Sequence, residues 1–340
     1  MENEQKQPEK QPEQLFWYKK LFQNRFFWLG VVLLCALVSI FLITYIAKNL
    51  SNKDSAESLM DFGLSSKQEE ADSKKRPRLL DGVWVEESVL ETPIFAVMID
   101  NHKDAWPPAS LSKARLVIEA EAEGGMTRYL AFFNAGQALD RIGPVRSARP
   151  YFVDWATEWS ALYTHVGGSP VALAKMAKED ALHINEFYNE YSFWRDQDRL
   201  APHNVYTSAE LIREYLEEHG IKDSPAFSWK YREDSDASRH PALQYISIDF
   251  SLRGYDVRWE YQPEQNDYQR YLGGQLHQDE DGSQVYAKNL VLMTVLAVDV
   301  DDELRLEMGN IGGGELLLCQ EGVCKGGTWK KPSPSARLRF

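Results

Sequence analysis

The chain has 340 residues, of which 44% are hydrophobic and 26% are charged, and its formal net charge is −13. This composition is typical of a globular protein of two or three domains and excludes wholesale disorder and the collagen-like and low-complexity classes. The negative charge argues against nucleic acid as a partner, because a general nucleic-acid binder needs a basic surface. Three cysteines are too few for a disulfide scaffold.

The first predicted element is a transmembrane helix over residues 26–47, which contain no charged side chain. At about 1.5 Å per residue this segment covers ~33 Å, enough to cross a hydrocarbon core of ~30 Å. A cleaved signal peptide is the alternative, but its apolar part is shorter, about 7–15 residues. Cys35 follows Leu34, which is not the small residue that precedes a lipidated cysteine, so lipidation is kept only as a minor alternative.

Three basic residues precede the predicted span, and they are Lys19, Lys20 and Arg25. Two basic residues follow it, and they are Lys48 and Lys53. This bias predicts a single-pass protein of the cell membrane, with a cytoplasmic tail at 1–25 and a body outside the cytoplasm. Residues 48–80 are rich in Ser, Lys, Glu and Asp and predict a disordered linker. Residues 1–50 carry a net charge of +2, so the remaining residues carry −15.

An α/β region is predicted over residues 81–222, because strand and helix patterns alternate there. The predicted strands are 94–101, 114–125, 127–135 and 161–168, and the predicted helices are 151–163, 169–180 and 207–220, with the boundary near 160 left open. The first strand is continuously apolar, as in a strand buried on both faces. Thr207 and Glu210 predict a capping box for the last helix, and Gly220 predicts its end.

A β-rich region is predicted over residues 223–340, with strands at 244–251, 255–262, 269–274 and 289–298 and a hairpin at 315–331. Cys319 and Cys324 flank the turn of this hairpin. Outside the cytoplasm we expect them to form a disulfide, with two reduced thiols as the alternative. The predicted fold class is therefore α/β, a mixed sheet with flanking helices, followed by a β-rich region.

Three arginines, Arg141, Arg146 and Arg149, lie just before a predicted helix start at Pro150. A guanidinium group binds phosphate or carboxylate through two parallel hydrogen bonds, and a helix N-terminus adds free N–H donors. These residues therefore predict an anion site. The alternative, given equal weight, is that they pair with the many carboxylates of the same region.

A second candidate site follows the strand at 161–168, where Gly167 and Gly168 precede Ser169 and Pro170. Glycines let a ligand approach the backbone, and the helix start offers N–H groups. The favoured alternative is an ordinary strand–turn–helix in which Ser169 is the N-cap. His165 is likewise more often a hydrogen-bonded core histidine than a catalyst.

A third candidate is a metal site, because Glu119, Glu121 and Glu123 alternate along one strand and are expected on one face. Glu119 and Glu123, with Asp100, are the predicted ligands of Mg²⁺ or another divalent cation. If these carboxylates are exposed, they form only the polar side of a strand. A fourth candidate is the loop 193–204, whose polar side chains suit a site and are Arg195, Asp196, Arg199, His203 and Asn204. The alternative is that its arginine and aspartate residues form an ordinary surface salt bridge.

The sequence contains no P-loop, dinucleotide-binding, zincin or α/β-hydrolase motif, so these functions lose most of their support. Several unusual strings instead resemble the YerB-like lipoproteins of bacteria, and they are PIFAVMIDN, EAEAEGGMTRYLAFF, IGPVRSARPYFVD, HVGGSP, FWRDQDRLAPHNVYTS, AKNLV and GTWKK. The resemblance spans residues 79–331. It implies a cell-envelope setting and two parts of a domain whose function is not defined, and it implies no reaction.

The chain departs from this family in three ways. Family members often carry a lipidated cysteine where this chain has an apolar span. Arg115 and Glu121 replace other residue types, which weakens the predicted metal site. Similar proteins continue into further strands after GTWKK, which predicts that the C-terminus is truncated.

The order of strands and arginines also resembles, more weakly, the LytR-CpsA-Psr phosphotransferases, which act on pyrophosphoryl-lipid-linked polymers. That likeness implies a metal near Asp100 and a phosphate facing Arg128, Arg146 and Arg149. It is an analogy of topology only.

The leading prediction is a membrane-anchored, extracytoplasmic protein that binds a phosphorylated or otherwise anionic envelope ligand. The alternatives are a phosphotransferase-like enzyme and a non-enzymatic scaffold for an envelope protein. The predicted ligand-binding residues are Asp100, Asn101, Arg128, Arg141, Arg146, Arg149, His165, Ser169, Arg195, His203 and Asn204.

Overall fold

The computed structural model describes residues 37–40, 42, 44, 75–90, 92–222, 229–242, 244–250 and 252–340. The chain divides into two units, Met1–Lys74 and Lys75–Phe340. In the first unit the described positions are helical and exposed. The part of the chain that the structure describes contains no helix long and apolar enough to cross a membrane. The predicted tail, most of the predicted span at 26–47 and the linker up to residue 74 lie outside the described residues.

The second unit contains a mixed α/β part followed by a β-rich part. Its described helices are α1 (Glu87–Leu90), α2 (Pro150–Glu158), α3 (Pro170–Glu179) and α4 (Ala209–Glu218). The strands up to residue 206 are β1 (Lys75–Pro77), β2 (Trp84–Glu86), β3 (Ile94–Asp100), β4 (Leu116–Glu123), β5 (Met126–Asn134), β6 (Leu162–His165), β7 (His183–Asn185), β8 (Trp194–Arg195) and β9 (Val205–Tyr206).

The later strands are β10 (Tyr245–Ile248), β11 (Val257–Gln262), β12 (Asp267–Leu272), β13 (Gln275–Leu276), β14 (Tyr286–Ala287), β15 (Asn289–Met293), β16 (Ala297–Asp299), β17 (Leu306–Met308), β18 (Gly312–Gln320) and β19 (Val323–Lys331). They form a sheet of β10–β11–β12–β13 with β14 beside β12, a sheet of β15–β18–β19 and the pair β16–β17. The mixed α/β fold and the β-rich second part agree with the sequence prediction.

The central sheet has the order β4–β5–β3–β6–β7. β3 lies antiparallel to β5 and parallel to β6, and β6 lies parallel to β7. All seven residues of β3 are buried, as its continuous apolar run predicts. β3 and β6 therefore end side by side at the same edge, and this edge carries Asp100 and His165.

Helices cover both faces of the central sheet. Successive side chains of a strand point to opposite faces, so a strand that is buried along its whole length needs a packing partner on each face. One face, with Ala96, Met98 and Leu130, packs against α2 and α3. The other, with Val97 and Ile99, packs against α4. The central sheet is thus a layer between two layers of helix.

The boundary near 160 that the sequence left open is resolved, and two other boundaries differ from the prediction. α2 ends at Glu158, because Ser160 takes a left-handed conformation (φ +49°), and β6 then begins at Leu162. Residues 75–80, predicted as linker, include β1, which pairs with β2, and the buried Leu80. The N-cap of α4 is Ser208, whose hydroxyl accepts the N–H of Leu211, so the capping box predicted one residue earlier is not formed.

The predicted hairpin at 315–331 corresponds to β18 and β19, which pair antiparallel. Cys319 and Cys324 lie directly opposite each other in this register. Their sulfur atoms are joined in a disulfide. The bond therefore links the two strands next to their turn.

Candidate functional site

The candidate site lies at the edge where β3 and β6 end. The segment 142–148 is held between these strands, because the N–H of Arg146 donates to the Met98 carbonyl (2.8 Å) and the N–H of Val166 donates to the Arg146 carbonyl (3.0 Å). Open α/β sheets bind ligands at the carboxyl ends of their parallel strands. The arginine-bearing segment is therefore fixed at the edge where a ligand site is expected.

Asp100 is the centre of this site and is only 3% exposed. Its Oδ2 lies 2.7 Å from Nδ1 of His203 and 3.1 Å from Nε of Arg146. Its Oδ1 accepts the N–H of His102 at 2.9 Å. Burial raises the pKa of Asp100, but the His203 hydrogen bond and the Arg146 and Arg128 charges outweigh burial, so the pKa lies below its usual range. Asp100 is therefore an anion at neutral pH.

Arg128 and Arg149 lie beside this centre and share the carboxylate of Glu123. Arg128 sits across from Asp100 on β5. Its Nη2 is 2.9 Å from Glu123 Oε2, and its Nη1 donates to the Ser147 carbonyl at 2.8 Å. Arg149 pairs with the other oxygen of Glu123. We call Asp100, Glu123, Arg128, Arg146 and Arg149 the arginine cluster.

The arginine cluster holds three guanidinium groups against two carboxylates, so it carries one excess positive charge. Arg128 and Arg149 are buried, whereas the Arg146 side chain is 20% exposed. The buried Nε of Arg149 has no hydrogen-bond acceptor among the residues that the structure describes. Arg146 is therefore the member of the cluster that a ligand can reach first.

Two histidines and one carboxylate lie at the rim of the cluster. The rings of His102 and His203 stack with centroids 4.4 Å apart and planes 14° apart. Nδ1 of His102 accepts the N–H of Asp104 at 3.2 Å and lies 3.6 Å from Oδ2 of Asp104. One nitrogen or oxygen of each of the three residues lies within 4.8 Å of the other two. His102 and Asp104 are not among the residues predicted from the sequence, although their close spacing directly after Asp100 is a usable signal.

Arg141 belongs to a separate group of ion pairs. It pairs with Asp196 and with Glu280 (2.8 Å), and its guanidinium carbon lies 3.6 Å from the ring centroid of Tyr206. For Arg141 the structure favours the alternative in which the arginines pair with local carboxylates.

Arg195 and Asn204 brace the loop 193–204. Arg195 contacts Glu186 at 2.8 Å and donates to the side-chain oxygen of Asn204 at 3.2 Å. Asn204 in turn donates to the Asp196 carbonyl at 3.1 Å. These contacts hold the loop that carries His203 against the sheet edge.

His165 and Ser169 have structural roles. Nδ1 of buried His165 lies 2.7 Å from the Gly167 carbonyl, and Nε2 lies 3.0 Å from Nδ1 of His183. Burial lowers the pKa of His165 to about 4, so the ring is neutral at pH 7. Ser169 accepts the N–H of Ala172 at 3.2 Å and caps α3. The structure thus favours the core-histidine and capping alternatives.

Asn101, the remaining predicted residue, is fully buried behind the site. Its side chain donates to the hydroxyl of Thr127 and accepts the indole N–H of Trp106, both at 2.7 Å. These two bonds use its amide to hold the start of the loop that follows β3.

The carboxylates predicted as a metal site are not brought together. The β4–β5 register shifts between Glu121 and Glu123, which places a bulge there. A bulge adds one residue and interrupts the alternation of side chains. The side chain of Glu123 therefore contacts Arg128 in the arginine cluster. The side chain of Glu119, on the other side of the bulge, instead binds Arg270 (2.8 Å) and Thr127 (2.8 Å). Glu119 and Glu121 keep the regular alternation and only Glu123 is displaced, so the prediction that all three glutamates share one face is wrong.

Comparison with known proteins places this chain in a family. Residues 80–222 match the N-terminal domain, and residues 246–340 the C-terminal domain, of a family described as a protein of unknown function, DUF3048. The chain belongs to the DUF3048 family. The candidate lipoprotein YerB of Bacillus subtilis (strain 168) is 32% identical over 263 residues, which are 76% of this chain and 79% of the relative.

The crystal structure of the YerB protein from Bacillus subtilis has the same fold. It matches with a TM-score of 0.68 and 30% identity, over 76% of this chain and 88% of that one. The resemblance predicted from the sequence strings is thereby confirmed. The arginine cluster lies wholly within the DUF3048 N-terminal domain, and Arg270 and Glu280 extend from the C-terminal domain to residues of the N-terminal one.

Proposed function

We propose that this DUF3048 protein is held at the outer face of the cell membrane and binds an anionic, phosphorylated envelope ligand at the arginine cluster. The observation that carries the proposal is the excess positive charge of this cluster in a body of residues 51–340 whose net charge is −15. An unbalanced guanidinium at a sheet edge is a site that attracts an anion.

The geometry of Arg146 supports the proposal. Its Nη1 donates to the Pro202 carbonyl at 3.3 Å, which is long for a hydrogen bond, and its Nε faces the already shared Oδ2 of Asp100. A phosphate oxygen offers a stronger, charge-assisted partner. Phosphate binding therefore needs only a weak contact of Arg146 to be given up.

Two observations support the location. Residues 26–47 have the length and composition of a membrane span, and the relative YerB is named as a candidate lipoprotein, which is a membrane-anchored class. Either kind of anchor supports a body that lies outside the cytoplasm. The proposed location and the proposed ligand are therefore supported by different observations.

The proposal is tested by titrating the full-length chain in detergent with inorganic pyrophosphate. We expect Arg146→Gln to weaken binding by roughly tenfold or more, because a hydrogen bond to a charged group contributes about 1.5–3 kcal/mol. Arg258→Gln is the matched control, since Arg258 forms an exposed ion pair with Glu260 in the other domain. Equal affinity of all three proteins, or no binding by the wild type, contradicts the ligand. Release of the chain from membranes by alkaline carbonate alone contradicts the anchor.

A second candidate, a phosphotransferase-like enzyme, is favoured by one observation. His203 is oriented by buried Asp100 directly beside Arg146, and a carboxylate-oriented imidazole can transfer a proton. This candidate predicts Mg²⁺-dependent cleavage of a pyrophosphoryl polyprenyl lipid that is lost in His203→Gln. Binding of this lipid without cleavage supports the leading proposal instead.

A further inference from the structure

We propose that His102, Asp104 and His203 form a binding site for a divalent transition metal ion, with Zn²⁺ as the best match. The three proposed ligands lie outside the arginine cluster, and only Asp100, which orients His203, belongs to both sites. One donor atom of each residue lies within 4.8 Å of the other two, and the three come from two different loops. Two imidazoles and one carboxylate are ligands that zinc prefers.

The tautomer of His203 prepares it to bind a cation. Because the pair lies 2.7 Å apart and an ionised carboxylate only accepts hydrogen bonds, Nδ1 of His203 carries the proton and donates it to Asp100. The lone pair on Nε2 is then available to a metal. A buried carboxylate that orients a metal-binding histidine in this way is the usual second shell of zinc sites.

The contact between His102 and Asp104 has nearly the spacing of two ligands on one ion. Two donors bound about 2.0–2.2 Å from a tetrahedral zinc lie roughly 3.4 Å from each other. Nδ1 of His102 and Oδ2 of Asp104 are 3.6 Å apart. An ion at this position replaces the weak 3.2 Å hydrogen bond from the Asp104 N–H. It also requires the stacked His102 and His203 rings to turn relative to each other, because a ring nitrogen binds a metal in the plane of its ring.

The charges around the site suit a cation held by three protein ligands. Asp104 and, through His203, Asp100 are the negative groups that face it. Arg146 also contacts the Asp100 carboxylate, so its positive charge offsets part of the negative charge of Asp100 and Asp104. The half-buried histidines and the exposed Asp104 leave the ion open to solvent or a ligand, as in sites with three protein ligands and one exchangeable position.

The predicted cation at Asp100, Glu119 and Glu123 is replaced by a different site in this proposal. That set consisted of oxygen ligands and fitted Mg²⁺. Glu119 and Glu123 are occupied by Arg270, Arg128 and Arg149. Asp100 instead acts through His203, as a positioning residue, and the nitrogen ligands now favour zinc over magnesium.

The test is a titration of the untagged full-length chain with Zn²⁺ alone, in phosphate-free buffer, by calorimetry and by visible absorption of the Co²⁺ form. We expect one ion per chain. Asp104→Asn is the main variant, because Asp104 is exposed and its loss cannot unfold the protein. It is expected to bind at least roughly tenfold more weakly, a loss typical of impaired metal sites.

His203→Gln should also abolish the Co²⁺ absorption, and Asp100→Asn should weaken zinc binding while leaving one ion per chain. His219→Gln is the matched control, because His219 is an exposed histidine hydrogen-bonded to its own helix. Identical zinc affinity and stoichiometry in the wild type, Asp104→Asn and His203→Gln overturn the proposal. Since no phosphate is present, failure of this test does not bear on pyrophosphate binding.

Discussion

His165 is fully buried, and its hydrogen-bond partners are a backbone carbonyl and a second histidine. Both of its ring nitrogens are engaged, one by the Gly167 carbonyl and the other by His183. Burial lowers the pKa of His165 to about 4 from a normal value of 6.5. In the unfolded chain the same ring is exposed and titrates normally, so protons bind the unfolded state first as the pH falls.

Stability should therefore fall between pH 6.5 and pH 4 through this residue. A difference of 2.5 pKa units corresponds to about 3 kcal/mol of unfolding free energy across that window. We expect His165→Gln to lower stability at pH 7.5 but to flatten its decline toward pH 4.5, measured by urea unfolding at both values. His219→Gln, at an exposed site, should keep the wild-type decline. Parallel pH profiles for His165→Gln and wild type contradict this assignment.

At the residue scale, the type of Arg146 and Arg149 and their position before a helix start were enough to select them, together with Arg141, which belongs elsewhere. Asp100 and Arg128 were linked to a metal and a phosphate through the likeness to the phosphotransferases, and the ion pairs of the cluster were not predicted. The carboxylate of Glu123 was selected for a different role, because a bulge leaves no clear mark in the sequence. The partner of Glu119 is Arg270, 151 residues away, and no local pattern reports such a distance.

Elements were predicted where one periodicity dominates. β3 followed from an unbroken apolar run, and α3 and α4 followed from helical spacing with a serine or threonine before it. The predicted N-cap of α4 is one residue too early, because Thr207 and Ser208 are adjacent and both carry a hydroxyl group. The fold resolves the choice, since the Ser208 hydroxyl accepts the N–H of Leu211, whereas the Thr207 hydroxyl donates to the Ser192 carbonyl.

The cap assignment predicts that Ser208→Ala destabilises the protein by about 1 kcal/mol, because the N–H of Leu211 loses its acceptor. Ser208→Asp should retain most of that stability, since a carboxylate also caps a helix. Thermal and urea unfolding measure the difference. Glu214→Gln, an exposed change within α4, should stay within about 0.5 kcal/mol of wild type. A loss in Ser208→Ala no larger than in this control contradicts the cap.

At the scale of the whole molecule, buried charges join the two DUF3048 domains. Glu158, at the end of α2, binds Nζ of Lys331 (2.9 Å), Nη1 of Arg337 (2.7 Å) and the N–H of Leu338 (2.9 Å). Glu158 is 3% exposed and Lys331 is fully buried. The guanidinium of Arg337 also lies over the ring of Trp159 at 3.3 Å.

Removing Glu158 should therefore destabilise the whole unit. Glu158→Gln removes the carboxylate that Lys331 and Arg337 share, and removing one partner of a buried ion pair typically costs about 3–5 kcal/mol. Glu179→Gln, which breaks a partly exposed pair with Lys175, should cost less than about 1 kcal/mol. Urea unfolding followed by tryptophan fluorescence and circular dichroism should show coincident transitions in the wild type. Two separate transitions, or equal losses in both variants, contradict this role.

The partners of Glu158 have a consequence for the order of events in biosynthesis. Lys331 lies 173 residues after Glu158 along the chain. At synthesis rates of about 5–20 residues per second, roughly ten to thirty seconds separate the appearance of the two. During that interval α2 carries a carboxylate whose cations have not yet been made. The N-terminal domain therefore acquires the counter-charges of Glu158 only after residues 331–338 of the C-terminal domain have been made, so the packing around the end of α2 is completed late relative to the rest of the N-terminal domain.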